Sequence, residues 1–377
     1  MRGRPHRLER LPEQYFTRLL ARVAAAAAAQ AGDPLVDLGR GNPDVPPPAH
    51  VVDALARAAA RDDTHGYAPF AGLPELKDAI AARYRDVYGV EVDPSSEVAV
   101  LPGSKTGLIE FAQVAVERGG AIVLPDPGYP DYRSAVALAA AARVPLPLLG
   151  DGRPDWDAAP AEGAALYLNY PSNPVAACAP AGVFAEAIAW ARRAGAWVLH
   201  DFAYGDLVFD GRRPQSFLAE DGAREVGLEL FSMSKSYGMA GWRLGFAVGS
   251  PELVSRIEDL QNHVFAGVFL PVQQAGIAAL TGPQATVDER RRLYEARRDR
   301  ALAALAAVEA RCEGTFFVWF RLPEGVTCEQ LLEHHRVAVA PGEGFGDRGR
   351  GWARLSLATP DDLLDLGLER LAGAWPP

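Results

Sequence analysis

Six short apolar runs, each separated from the next by enough chain for a helix, constrain this sequence more than anything else in it: residues 98–101, 122–124, 165–168, 197–199, 228–231 and 244–248. Runs of Val, Ile, Leu and Phe without polar alternation belong to strands buried on both faces. Helical stretches between them supply the crossovers of a mainly parallel sheet covered on both sides. Open sheets of this kind bind ligands beyond the carboxyl ends of their strands. The residues just after each run are therefore the first place to look for chemistry.

At 377 residues the chain exceeds one compact core. The pattern divides it into a small-domain start (1–44), a large central domain (45–284) and a small-domain end (285–377). Residues 12–30 read as a helix with Pro12 in its first turn, continuing through the alanine tract 24–29. The Gly- and Pro-rich segment 39–48 reads as a crossing between domains. Thr286 and Glu289 have capping-box spacing and would open a long helix. Residues 314–322, with Thr315, Phe316, Phe317 and Trp319, read as a strand of the final domain.

A net charge of −10 and a pI near 5.3 argue against nucleic acid or an anionic membrane as the main partner. No apolar run is long enough to cross a bilayer. Residues 1–10 are basic but lack the apolar segment and cleavage site of a secretory signal. Cys178, Cys312 and Cys328 are odd in number and lack metal-ligand spacing, so they read as reduced thiols of a cytoplasmic protein. The histidines form no spaced cluster, and no metal is expected.

The chemistry concentrates after the run at 228–231. Ser232, Ser234, Lys235 and Arg243 make a compact cationic, hydroxyl-rich group. A lysine amine forms a Schiff base with an aldehyde, while serines and an arginine hold a phosphate dianion. Pyridoxal 5'-phosphate (PLP) asks for both. After the run at 98–101, Gly103, Ser104 and Lys105 precede a helix whose N-terminus offers N–H groups to phosphate. Tyr129 follows the next run. Asn173 stands in an Asn-Tyr-Pro-Ser-Asn-Pro segment and Asp201 ends the run at 197–199, with Tyr204 close behind.

These segments, in this order and over nearly the whole chain, resemble the fold-type I PLP enzymes, the aspartate aminotransferase superfamily. Val175, Ala176 and Cys178 after Asn-Pro, together with the His200 to Tyr204 segment, look closest to the branch of alanine and LL-diaminopimelate aminotransferases. The resemblance implies a mainly parallel seven-stranded sheet between helices plus a small α+β domain. It implies that Lys235 carries the cofactor, Asp201 faces the ring nitrogen and Tyr129 stacks on the ring. Asn173 and Tyr204 would bond the phenolate oxygen. Gly103, Ser104, Lys105, Ser232, Ser234 and Arg243 would hold the phosphate. Arg354, Gly41 and Asn173 would bind the substrate carboxylate, with Tyr15 closing over it. Tyr67 would reach the phosphate of a neighbouring subunit, making the enzyme a homodimer with shared sites.

The expected activity is transfer of an amino group between an L-amino acid and a 2-oxo acid, with glutamate/2-oxoglutarate or alanine/pyruvate as one pair. A carbon–sulfur β-lyase shares the fold, as would a PLP-binding regulator without turnover. One departure bears on substrate: Ala266 stands where the branch carries a polar or aromatic group, which counts against a diaminopimelate substrate.

Overall fold

The computed structural model describes residues 5–29 and 34–375. After the Tyr15–Ala29 helix comes β1 (Val36–Asp37). Then follow β2 (Val98–Leu101), β3 (Ala121–Asp126), β4 (Ala142–Pro147), β5 (Ala165–Asn169), β6 (Trp197–Asp201), β7 (Gly227–Ser232) and β8 (Gly245–Gly249). The chain ends with β9 (Ala310–Arg311), β10 (Phe317–Arg321), β11 (Val337–Ala338), β12 (Ala340–Pro341) and β13 (Trp352–Ser356).

β2 to β8 form one seven-stranded sheet in the order β2-β8-β7-β6-β5-β3-β4. β8 runs antiparallel to both neighbours, and the other pairs are parallel. The carboxyl ends of every strand but β8 therefore share one edge. β2, β5, β7 and β8 are buried along their whole length. Successive residues serve opposite faces: Val98 and Val100 join one apolar cluster, Ala99 and Leu101 the other. That two-sided burial is why these strands read as unbroken apolar runs.

β4 escaped the sequence reading because Arg143, Pro145 and Pro147 interrupt its apolar character. It is an edge strand paired only with β3, where proline costs no ladder bond.

β12, β13, β10 and β9 form a four-stranded antiparallel sheet, and β1 pairs in parallel with β11. β10 is shorter than the expected strand over 314–322: Thr315 takes a positive φ of 71°, which breaks extended backbone before Phe317. The first long helix begins at Tyr15 rather than Pro12, because the Gln14 side chain donates to Asp131 Oδ1 at 2.6 Å and holds the approach to the helix against the large-sheet layer. Gln30, the expected end of that helix, lies outside the described residues. Thr286 and Glu289 form no capping box. The Ala285–Ala304 helix starts one residue earlier, with Gln284 at its cap and no side-chain cap bond. The Gln284 amide is spent instead on the carbonyls of Ala279 and Gly282 at 2.9 and 2.8 Å. Thr327 with Gln330 makes a capping box, at the Cys328–His334 helix.

One buried group gives the fold a pH dependence. Glu110 lies in the Ser104–Ala115 helix, 3% exposed, and receives Gln261 Nε2 at 3.1 Å. Glu110 Oε1 and Gln261 Oε1 have no donor, and burial pushes the carboxyl up to about 7. A proton on the carboxyl supplies the missing donor. An acid whose folded pKa is raised favours the folded state below its unfolded pKa and loses that advantage as pH climbs to the folded value. Glu110→Gln should therefore stabilise the protein at pH 8 relative to wild type, by up to about 3 kcal/mol, and do little at pH 4.5. Thermal melts at the two pH values check this, and equal shifts at both would refute it.

Candidate active site

A pocket of ≈ 470 Å³ gathers residues from the carboxyl ends of the parallel strands, from the crossing segment and from β13. Its wall contains Gly41, Ser104, Lys105, Tyr129, Asn173, Asp201, Tyr204, Ser232, Ser234, Lys235, Arg243 and Arg354. Positions more than 300 residues apart in sequence thus meet around one cavity, since Gly41 and Arg354 both line it.

Lys235 sits in the short Met233–Ser236 helix directly after β7. Its Nζ lies 3.5 Å from the Gly41 carbonyl and faces the rings of Phe316 and Tyr204 at 5.1 and 5.7 Å. Burial, then the charges of Arg354 and Arg243, lower its pKa to about 8, with Asp201 opposing. A lysine so placed is largely neutral in mildly alkaline solution and can act as a nucleophile or base.

Asp201 closes β6. Its carboxylate accepts Tyr132 Oη at 2.8 Å and the Ala203 N–H at 3.2 Å. Burial raises its pKa, although Tyr132, Ala203, His200 and Lys235 pull the other way. No ion pair neutralises it among the described residues, and a buried carboxylate in that condition calls for a cation from a ligand.

Arg354 is the mirror case. It is 1% exposed on β13, between Trp319 and Ala340 in register, with its guanidinium 3.8 Å from the Phe317 ring centroid. NH1 donates to Asn173 Oδ1 at 2.7 Å and NH2 to the Gly39 carbonyl at 3.1 Å, while Nε has no partner. No carboxylate pairs with it among the described residues, and burial lowers its pKa to about 10. The same contact orients Asn173: with Oδ1 turned to Arg354, the amide NH₂ is free to donate into the pocket. Asn169, at the end of β5, fixes that loop by accepting Asn173 N–H at 2.7 Å and donating to the Asp201 carbonyl at 2.7 Å.

Phosphate-type donors cluster at the other end. Ser104 opens the Ser104–Ala115 helix, whose N-terminus has no side-chain cap. Free N–H groups there favour an anion. Gly103 lies behind the wall with φ +90°, and any Cβ at that position would collide with the Arg243 guanidinium. Among the described residues Arg243 bonds only carbonyls, those of Ala240 and Pro102 at 2.8 and 3.4 Å. Ser232 Oγ accepts the Ser234 N–H at 3.2 Å and keeps its own hydroxyl proton to donate. Lys105 is partly spent on Asp131, 2.7 Å away.

Besides Gly103, two sequence candidates lie outside the wall. The Tyr15 hydroxyl donates to the Pro341 carbonyl at 2.8 Å, and it is the neighbouring Phe16 that lines the pocket. Tyr67 is 88% exposed and away from it. Conversely, Tyr132, Asn169, Phe16, Leu19, Leu20, Arg40 and Phe317 were missed. Asn169 had a visible signal, a polar residue ending an apolar run. The others acquire their roles only through contacts between distant segments.

A molecule with an aldehyde, a phosphate and a protonated pyridine ring fits these residues. It brings an anion to Ser104, Ser232, Ser234 and Arg243, and a cation to Asp201. The amine of Lys235 lies in the same pocket.

Comparisons with known proteins agree. The model of the family described as aminotransferase class I and II matches residues 33–371. The L-glutamine--4-(methylsulfanyl)-2-oxobutanoate aminotransferase of Bacillus subtilis is 42% identical over 95% of this chain and 93% of its own length. An LL-diaminopimelate aminotransferase of Moorella thermoacetica is 37% identical, covering 97% of this chain and 96% of the relative. A substrate-bound structure of BacF from Bacillus subtilis superposes with a TM-score of 0.92 at 37% identity, covering 99% of this chain and 98% of that one. The chain belongs to the class I and II aminotransferases, fold-type I enzymes that use pyridoxal 5'-phosphate to move an amino group between an amino acid and a 2-oxo acid.

Proposed function

We propose that this aminotransferase pairs an amino acid bearing an uncharged, largely apolar side chain with a glutamate-type or alanine-type partner, and that the residues around the pocket divide the work as follows. Bound cofactor supplies an aldehyde that accepts the amino group and a ring that delocalises the electron pair left at the substrate α carbon. Lys235 carries it covalently between turnovers. Asp201 holds a proton on the ring nitrogen, and Tyr132 keeps that carboxylate ionised and aimed. Ser104, Ser232, Ser234 and Arg243, with the N–H groups after Gly103 and the charge of Lys105, receive the phosphate. Tyr129 covers the ring. The Asn173 amide and the Tyr204 hydroxyl, which bonds no described residue, donate to the phenolate oxygen.

Arg354 is the observation that carries this reading: a buried guanidinium with no carboxylate of its own, opening on the same cavity as the Lys235 amine. It takes the substrate α-carboxylate through its fork, with Gly41 as the adjoining backbone contact. That grip sets the α carbon toward Lys235 Nζ. Once the substrate amine has displaced it from the cofactor, the Lys235 amine would take the α proton as base and give it back as acid. Water would supply the oxygen of the released 2-oxo acid while the amino group stays with the cofactor, and a second 2-oxo acid would take it up by the reverse order, giving ping-pong kinetics.

The side-chain preference rests on Phe16, Leu19, Leu20 and Phe317, which give the pocket an apolar wall. The oxo acid in the Bacillus subtilis relative's name, with its methylsulfanyl group, suits such a wall. A diaminopimelate side chain, charged at its far end, does not. Residues 45–284 serve as the cofactor domain and 1–44 with 285–377 as the small domain. Two copies work together: Tyr67, Phe70, Val264 and Phe269 are exposed at 88, 44, 64 and 50%, an apolar surface for a second copy into whose site Tyr67 would reach. A cytoplasmic setting suits its free cysteines.

The test is a single-turnover screen of purified holoenzyme against the common amino acids with no acceptor present. Stoichiometric release of the matching 2-oxo acid, with loss of the visible band of the lysine-linked cofactor, is expected for methionine-like substrates. Continuous release of pyruvate and ammonia from a thioether amino acid would replace this reading with a carbon–sulfur lyase.

A further inference from the structure

The mouth of the pocket holds a cation that the chemistry above does not use. Arg40 lies in the pocket wall and its side chain is exposed; the side chain makes no hydrogen bond or ion pair with a described residue, although its charge and its backbone N–H both act on the Asp37 carboxylate. Its backbone is nonetheless built into the site. The carbonyl of Gly39 on one side accepts Arg354 NH2 at 3.1 Å, and that of Gly41 on the other lies 3.5 Å from Lys235 Nζ. Asp37, ending β1, holds this turn by accepting the Gly39 N–H at 2.9 Å. Arg40 is therefore an arginine on a fixed platform between the group that grips the α-carboxylate and the group that moves the α proton. Its guanidinium has no hydrogen bond or ion pair among the described residues, only the longer-range attraction of Asp37.

A ping-pong transaminase must admit two different side chains to one pocket in alternate half-reactions. Phe16, Leu19 and Leu20 offer nothing to an oxygen-rich side chain, and Lys105 is paired with Asp131 and turned to the phosphate end of the site. An anionic or amide end placed against the apolar wall would lose its hydration without compensation. Resting on the aminotransferase reading, we infer that Arg40 receives the distal oxygen end of the second substrate, the ω-carboxylate or ω-amide of a glutamate-type amino acid and its oxo acid. Arg40 is then a specificity residue for one half-reaction and a bystander in the other. The binding is reversible and needs no rearrangement of the fold, because the guanidinium swings on an exposed side chain while the backbone stays pinned.

Half-reaction kinetics of Arg40→Gln, Arg40→Lys and Arg40→Glu with glutamate, glutamine and methionine decide the matter. Arg40→Gln should lower kcat/KM roughly tenfold for glutamate or glutamine and less than about twofold for methionine, as fits a charge-assisted contact at a half-wet site. The loss should lie in KM rather than kcat, and Arg40→Lys should restore part of it. Arg40→Glu separates the two distal groups: a far deeper loss with glutamate than with glutamine identifies a carboxylate, and comparable losses identify an amide-tolerant contact. Equal change for all three substrates, or none for any, overturns the inference while leaving the aminotransferase reading intact. Failure of wild-type holoenzyme to release an oxo acid from any amino acid would bring down both.

Discussion

Lys235→Ala is expected to lower turnover by at least about 10⁴-fold, because it removes together the two roles proposed for this amine, covalent anchor and base for the α proton. Mass spectrometry after borohydride reduction should find the cofactor attached at Lys235 in wild type and at no residue in the variant. The variant should still fold. Lys235 lies in a four-residue helix, and among the described residues its amine makes one long hydrogen bond, to the Gly41 carbonyl, besides its approach to the Phe316 and Tyr204 rings. Its buried charge is also poorly compensated, which is why its pKa is lowered to about 8. Removing such a group should raise the melting temperature of the apoprotein slightly rather than lower it. Appreciable residual turnover with an intact melt would mean that another base serves the reaction.

The second large effect is electrostatic. Asp201→Asn keeps the shape of the side chain, and its amide oxygen can still accept from Tyr132. The negative charge proposed to face the ring nitrogen disappears. Asp201 is 6% exposed, and burial already raises its pKa in the absence of a cation. A paired cation there gains from a low-dielectric surrounding, and its loss is worth several kcal/mol in the transition state. A fall in kcat of roughly 10²–10³-fold with cofactor still bound is the expected result. Single-turnover rates at full occupancy, read from the visible band, measure it directly. Unchanged rates at full occupancy would remove Asp201 from the proposed role.

Much of this site was readable along the chain because its chemistry sits at strand ends. Asp201 terminates β6, Lys235 follows β7, and Ser104 opens the helix after β2. An apolar run that stops at a charged residue advertises its position, so the strand supplies both the signal and the placement. The same logic failed for β4, whose prolines are tolerated only because the strand lies at the sheet edge, a fact of pairing rather than of composition. It failed for the helix expected to begin near Pro12, where a side-chain bond from Gln14 to Asp131 overrides local preference. The capping spacing of Thr286 and Glu289 was a local pattern with no local consequence, since Gln284 had already ended the loop.

Tyr132 and Arg40 mark the limit most clearly. Tyr132 reads as one more aromatic near Tyr129, yet its hydroxyl meets Asp201 across 69 positions. Arg40 reads as a surface charge in a Gly-rich turn, yet it stands between the neighbours of Arg354 and Lys235. Residue order alone determined the layered α/β architecture and singled out Lys235 and Asp201 as strand-end candidates, because burial period and strand-end charge are local properties of a chain. Tertiary structure alone decided which polar groups are left unpaired. Whether a guanidinium or a carboxylate has found a partner depends on packing between segments hundreds of residues apart, and those uncompensated charges are what point to the substrate.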